Sequence, residues 1–461
     1  MSRFLLTVWP LVGHINPFMS VAKALQARGH SVAFYTSESV RPILEAEGMM
    51  VLPYVLVDDG PMWEIVRDAE SRAWLGWNAP KILMRAVREW IAGTMPGQVA
   101  DLRRISAEWK PDVIVTETGM WGPIVVLNEV GTVPVAILTT LMGCLIPGPE
   151  APPGGSGLPT PRNFRTRLLS KAVTRLSDML AVGVRMRVNR VRAENGLPPM
   201  AGSVNAHMAT LPLYLVPSVR ELDYGRRDLP SSVHYVGPCI WNRPSGQAPD
   251  RWLEGLPGGQ PWVHVTEGTA HYQDPFVLRA AASGLAGLPL QAILTTGSQR
   301  DPEEMGLGAV ASNIHVRRWV SHSELLPRCA ALVTTGGAGT ILTALHAGLP
   351  MVIVPTHWDK PDNARRIVDA GLGLSLSPRR CTPEALRHAV ERVLAEPGYR
   401  ENARGLALKM NATSGPERAA DLLEALALKS AQRGEDFAEK SRASTAQQEV
   451  CGPLEWASID P

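Results

Sequence analysis

The sequence predicts an α/β protein built from two doubly wound, Rossmann-like domains that face a central cleft. Short apolar runs alternate with helical stretches in two successive series, and a Pro/Gly-rich stretch separates the series. The 461 residues leave room for two to four domains at roughly 100–200 residues each. A β-then-α rhythm of this kind implies parallel sheets covered by helices on both faces.

In the first series, residues 4–8 read as a buried strand and residues 17–28 as the helix after it. Asn16 is the expected N-cap, Pro17 the first helical residue and Gly29 the closing glycine. Strands are expected at 31–35, 113–115 and 133–138. The pattern breaks at Gly237-Pro238, so residues 1–238 form one domain and 239–261 a linker. The second series, with strands at 262–265, 290–294, 315–316, 331–333 and 351–354, gives a domain over 262–428. Thr382-Pro383-Glu384 opens a helix, as cap, first residue and acidic partner of the positive helix end. Residues 429–461 are polar and lack periodicity, which predicts a disordered tail.

Composition narrows the function classes. A hydrophobic fraction of 45% with 20% charged residues is ordinary for a globular chain. The formal net charge of +2 gives no electrostatic footprint for nucleic acid. Five cysteines, an odd number with no CxxC pair, argue against a disulfide framework or zinc site and for a reducing cytoplasm. The apolar N-terminal run stops at Pro10, too short for a signal peptide, and no later run approaches the ~20 residues of a membrane span.

Open α/β sheets bind ligands beyond the carboxyl ends of their strands, which directs attention to the strand-end loops. Gly13-His14-Ile15-Asn16-Pro17 follows the first strand. A neutral His14 there can accept a proton from an acceptor hydroxyl, because imidazole titrates near working pH. A carboxylate on its second nitrogen would orient it and stabilise the imidazolium, and Glu117 ends the 113–115 strand. Spacing alone equally allows a His14 that bonds only loop backbone and a Glu117 that is a solvated charge.

Thr334-Thr335-Gly336-Gly337-Ala338-Gly339-Thr340 follows a strand and opens a helix. Glycines let the backbone approach a phosphate, and a helix N-terminus presents N–H groups with partial positive charge, so the loop reads as a diphosphate site, with a tight turn that binds no ligand as the alternative. It is neither a P-loop nor a full GxGxxG. Asp359 can accept hydrogen bonds from sugar hydroxyls, and Lys360 can donate or meet a phosphate. Trp319 can stack on a flat base or simply fill core.

In combination these motifs resemble the GT-B-fold glycosyltransferases of family 1, especially the bacterial branch that glycosylates macrolides and other natural products. The resemblance covers residues 1 to about 428. It rests on the Gly-His-Ile-Asn-Pro loop at 13–17, Trp319-Val320, the Gly336–Thr340 loop and Asp359 with Asn363-Ala364, in that order. It implies that His14 is the general base and that Glu117 stands where an Asp usually orients it. It implies further that Trp319 stacks on uracil or thymine, that Val320 bonds the base edge through its backbone, and that Asp359 binds the sugar. The diphosphate would lie on Gly336–Thr340, with Gly268 and Thr269 approaching from another strand end.

The chain departs from the family pattern where Thr335 replaces a His, Thr343 a ribose-binding Glu, Lys360 a Gln, and Ser321-His322 a Pro-Gln pair. The Thr335 hydroxyl can still donate to a phosphate but carries no charge, and Lys360 would partly restore the charge lost there. The implied reaction is an inverting transfer from a UDP- or dTDP-sugar to the hydroxyl of a small, hydrophobic or aromatic acceptor, without a cofactor or essential metal. The many tryptophans of the first domain, among them Trp74, Trp77 and Trp121, are acceptor-site candidates, with core packing as the alternative. A catalytically inactive nucleotide-sugar-binding partner protein and a GT-B sugar-nucleotide epimerase are the competing readings.

Overall fold

Two parallel sheets carry the two β/α series in a computed structural model that describes residues 1–71, 79–241, 251–269, 273–297 and 300–450. The first sheet holds β1 (Arg3–Thr7), β2 (Ser31–Thr36), β3 (Met50–Pro53), β4 (Val113–Thr116), β5 (Val135–Leu138), β6 (Leu213–Val216) and β7 (Val233–Tyr235), in the order β3-β2-β1-β4-β5-β6-β7. The second holds β8 (Trp262–Thr266), β9 (Gln291–Thr295), β10 (Ile314–Arg317), β11 (Cys329–Thr334), β12 (Met351–Ile353) and β13 (Gly373–Ser375), in the order β10-β9-β8-β11-β12-β13. The strands β3, β6, β7 and β13 have no counterpart in the sequence reading. Each has only three or four residues, too few for a period to show.

Both sheets are buried on both faces, as their near-continuous apolar strands require. Phe4 and Leu6 of β1 face one layer of core while Leu5 faces the other. In β8, Trp262 faces one layer and Val263 and Val265 the opposite one.

The order of strands reverses at one point in each sheet. The chain runs outward from β1 through β3 and returns to place β4 beside β1, with Thr7 opposite Thr116. It repeats this from β8 through β10, returning to place β11 beside β8, with Thr334 opposite Thr266. Loops diverge at such switch points and leave a crevice. The loops holding His14 and Glu117 flank the first, and those holding Gly268 and Gly336 flank the second.

The first helix differs from expectation. It spans Val12–Ala27, with Leu11 as N-cap and Pro17 inside it. The amides of His14 and Ile15 already donate to the Leu11 carbonyl, so Asn16 is not a cap and His14 lies in the first helical turn. Pro17 is tolerated near this end because it forfeits a single bond, to the Gly13 carbonyl. Gly29 does close the helix, with φ +83.

The last helix spans Gly415–Val450, where a disordered tail was expected from residue 429. Its early residues Ala419, Ala420, Leu423 and Ala427 pack into the core of the first domain. Arg28 at the end of the first helix bonds Glu417, Asp421 and Glu424. Beyond this anchor, residues rich in Ala, Glu, Gln, Lys and Arg extend a nucleated helix by propensity, without the apolar period of a buried face. Residues 451–461 lie outside the described residues, as do residues 242–250 of the expected linker.

The helix Lys360–Asp369 joins the domains. Its Asp362 carboxylate accepts the amides of Gly155 and Gly157, each at 2.6 Å. Thr160 donates to Asp369 at 2.8 Å. Arg366 pairs with buried Asp223 at 3.1 Å and lies over the Tyr224 ring.

Candidate active site

His14 and Glu117 meet at the first switch point. His14 Nδ1 is 2.6 Å from Glu117 Oε2. The other carboxylate oxygen accepts the backbone N–H of Trp9 at 2.5 Å. Glu117 is 1% exposed and the His14 side chain 31%. The carboxylate is therefore fixed, while the ring keeps one edge toward the cleft. A carboxylate at Glu117 accepts only, so it favours the tautomer with the proton on His14 Nδ1 and an open lone pair on Nε2. Burial disfavours the imidazolium, but the charge and hydrogen bond of Glu117, aided by the Asp359 carboxylate, raise the His14 pKa above its ordinary 6.5. Asp359 belongs to the second domain, and the ring of its neighbour Trp358 packs on Trp90 of the first.

Trp9 was not singled out from the sequence. Its amide holds Glu117, and its indole donates to the Gly119 carbonyl at 3.1 Å. The one available signal is its place two residues after β1.

At the second switch point, Gly336 adopts φ +96, and a Cβ there would lie 2.9 Å from Ile353 Cγ2. This glycine is required by the protein itself. A Cβ on Gly337 or Gly339 would meet no protein atom within 4 Å, so those positions leave the start of the Ala338–His346 helix open to a ligand. Gly268, with φ +73, is equally uncrowded. Val320 is buried at 1% exposure, whereas Trp319 is 44% exposed and is not core. Thr343 donates to the Gly339 carbonyl at 2.8 Å.

Asn363 ties the loop to Asp359. Its fully buried amide donates to the Gly336 carbonyl at 2.9 Å and to Asp359 Oδ2 at 2.7 Å. Just before it, Trp358 takes a left-handed backbone with φ +59, rare for a bulky residue and concentrated at functional sites. Its ring packs edge-on against Trp90 of the first domain, centroids 6.4 Å apart.

Two expectations need correction. The Thr335 hydroxyl does not point to a phosphate. It is buried and donates to the Glu267 carbonyl at 2.8 Å, fastening the β11 loop to the β8 loop. Glu267 in turn is buried against Arg300 at 2.9 Å. Lys360 Nζ lies 3.3 Å from Thr335 Oγ1 and 3.0 Å from Thr356 Oγ1, so a charge does stand where Thr335 offers none. Trp121 is 9% exposed within the first-domain core, where packing accounts for it. Trp74 and Trp77 lie outside the described residues. Thr269 ends the described stretch beside Gly268. Among the described residues no group of three or more His, Cys, Asp or Glu is placed to hold a metal ion, and no helix is long and apolar enough to cross a membrane.

Comparison with known proteins agrees with this architecture. Residues 291–426 match the erythromycin biosynthesis protein CIII-like C-terminal domain. The chain is 31% identical over 427 residues to 4'-demethylrebeccamycin synthase of Lentzea aerocolonigenes, covering 92% of this chain and 99% of the relative. Demethyllactenocin mycarosyltransferase of Streptomyces fradiae is 25% identical over 435 residues, covering 92% and 87%. The calicheamicin glycosyltransferase CalG4 superimposes with a TM-score of 0.72 at 22% identity, covering 92% and 98%. With two Rossmann-like domains opposed at their switch points and a relative this similar along its whole length, the chain belongs to the GT-B-fold glycosyltransferases of family 1.

Proposed function

We propose that the chain transfers a sugar, with inversion, from a UDP- or dTDP-sugar to a hydroxyl of a small, hydrophobic natural product, with His14 as general base. The observation that carries this reading is the His14–Glu117 pair at the first switch point, 2.6 Å apart. As the acceptor oxygen attacks the anomeric carbon, its proton passes to His14 Nε2. The bond from that carbon to the diphosphate oxygen breaks, and its electron pair leaves with the diphosphate. The N–H groups opening the Ala338–His346 helix stabilise that charge. Asp359, held by Asn363, binds sugar hydroxyls, and Trp319 stacks on the base.

The donor and acceptor classes are supported by relatives. The glycosyltransferases SsfS6 and VinC were solved with thymidine diphosphate, and the rhamnosyltransferase SpnG with spinosyn aglycone. A buried, hydrogen-bonded carboxylate behind His14 favours an active transferase over an inactive binding partner. We place the reaction in the cytoplasm and without an essential metal, so excess EDTA should leave the rate unchanged.

The test is direct. Uridine and thymidine sugar donors are screened for thermal stabilisation, which bound ligand produces by mass action. Transfer from the stabilising donor to a panel of flat aromatic and macrolide acceptors is then followed by chromatography. A general base is worth roughly a hundred- to ten-thousandfold, so His14→Ala should abolish transfer while the donor still stabilises. Full transfer by that variant, or release of epimerised free sugar instead of glycoside, defeats the reading.

A further inference from the structure

The helix Phe164–Leu180 is folded the wrong way round for a helix that packs on its own protein. Of its 17 residues only Ser170 is buried. Six of its large apolar side chains, Phe164, Leu168, Leu169, Leu176, Met179 and Leu180, are exposed, between 44% and 79%, and Val173 alone of the large ones is half-buried. At 100° per residue they and Ala172 share one half of the helix circumference, while Ser170, Thr174 and Ser177 fall on the other. The helix turns buried Ser170, with the half-buried Thr166 and Val173, to the body of the molecule, and Phe164, Met179 and its four leucines outward. The next helix, Val182–Glu194, continues this surface with exposed Val182 and Met186.

Charge is concentrated here as well. Between Arg162 and Arg192 the chain carries nine basic side chains and one acidic, Asp178. The chain as a whole is only +2, so the rest of the molecule is net acidic. Two of the nine serve internal contacts: Arg192 pairs with Glu129, and Arg167 donates to the Pro161 carbonyl. Arg165, Lys171, Arg175, Arg185, Arg187 and Arg190 are exposed around the apolar face.

We propose that this helical pair is a docking surface for an anionic lipid bilayer. Apolar side chains on one face with arginine and lysine around them are what an interfacial helix needs. The first sink below the headgroups while the second keep their charges among lipid phosphates. Each basic side chain held near such a surface is worth about fivefold in partitioning. A second copy of the chain is a poorer occupant, because pairing the faces brings two strongly positive patches together. The segment leads directly from the 155–160 stretch that bonds the Lys360–Asp369 helix, so docking would hold the cleft close to the bilayer.

The test is cosedimentation of the full chain with vesicles of phosphatidylcholine, with and without a one-third share of phosphatidylglycerol. Binding is expected to the anionic vesicles and to fall steeply with added salt. Leu168→Glu and Leu176→Glu, both at exposed positions, should each weaken it roughly tenfold or more. Arg175→Gln with Arg187→Gln should weaken it by about twentyfold. Circular dichroism and Tm should not change in any of these variants, which shows that loss of binding is not loss of fold. Failure to bind anionic vesicles, or equal binding to neutral ones, overturns the proposal. So does a lipid-free dimer by sedimentation equilibrium that the leucine variants dissociate, which would assign the face to a second copy. Binding only to an acidic protein and not to vesicles overturns it equally.

Discussion

Replacing Glu117 by Gln keeps the shape of the side chain and changes its hydrogen-bonding logic. The carboxylate accepts two donors, the Trp9 amide at 2.5 Å and His14 Nδ1 at 2.6 Å. A Gln has one acceptor and one donor end. The Trp9 N–H is backbone and must be met by the oxygen, so the NH2 group faces His14. The ring then has to accept at Nδ1, which puts its proton on Nε2 and removes the base. Loss of a hydrogen bond to a charged group accounts for about 1.5–3 kcal/mol. That is roughly ten- to a hundredfold in rate. The tautomer trap carries the total toward ten-thousandfold, the scale seen when an analogous carboxylate is amidated. The assay is kcat/KM against pH. In the native enzyme activity should rise with pH as His14 loses its proton, with the midpoint above 6.5. In the variant the residual activity should have its acid limb moved down, because the charge that raised the His14 pKa is gone. Stability moves oppositely. A pKa raised by folding contributes stability in full below its unfolded value of about 6.5 and loses it as pH rises through the folded value. The Tm gap between native and variant enzyme should therefore be wider near pH 6 than near pH 8. An unchanged acid limb, or a rate within a few-fold of native, would refute the pairing as the working base.

Other substitutions separate binding from stability. Trp319→Ala should weaken donor binding by about 1–3 kcal/mol, the usual worth of a stacked base. Its Tm should barely move, since the ring is 44% exposed; a collapse in Tm would make it a packing residue. Asn363→Ala strips the Gly336 carbonyl and Asp359 of a shared donor, so donor KM should rise about tenfold and stability fall by about 1–3 kcal/mol. If stability falls while donor KM is unchanged, Asn363 does not position Asp359. The two loop glycines should part company. Gly336→Ala meets Ile353 and a left-handed backbone and should cost about 1–3 kcal/mol by thermal melt. Gly339→Ala lies in open space inside a helix; it should raise Tm slightly while crowding the diphosphate and raising donor KM.

The architecture was legible because both sheets are buried on both faces, so their longer strands stand out as apolar runs. Nine of the strands follow from such runs, and the two switch-point loops follow from strand order. The short strands β3, β6, β7 and β13 were not legible. Neither was the start of the first helix. Asn16-Pro17 is a strong local signal for a helix beginning, but the turn closes five residues earlier at Leu11, because the loop from β1 is only a few residues long and the helix must return along the sheet. The final helix shows the complementary limit. Its sequence places it after the second domain, and only the small residues Ala419 and Ala420 hint at close approach to another helix. Which helix they approach is a long-range fact that periodicity does not carry.

The site divides in the same way. His14, Glu117, Asp359 and the glycine loop could be named one by one, since each is a strand-end residue of suitable chemistry. What sequence could not supply is where hydrogen bonds are spent. Thr335 looked like a neutral phosphate donor, yet its hydroxyl proton goes to the Glu267 carbonyl, so substituting it loosens two loops at once. The charge it lacks is supplied from Lys360, 25 residues later, whose amine is brought within 3.3 Å of the same oxygen. The helix at Gly337 already offers a positive end. A lysine beside it adds a full charge on a flexible stem rather than a fixed imidazole. In the transfer proposed above, the loop would keep an electropositive floor for a diphosphate while giving up the side chain that would have bonded it directly. Burial, with Lys360 only 4% exposed, would place that charge in a poorly screened medium, so in the proposed reaction it would attract the diphosphate more strongly than a surface lysine.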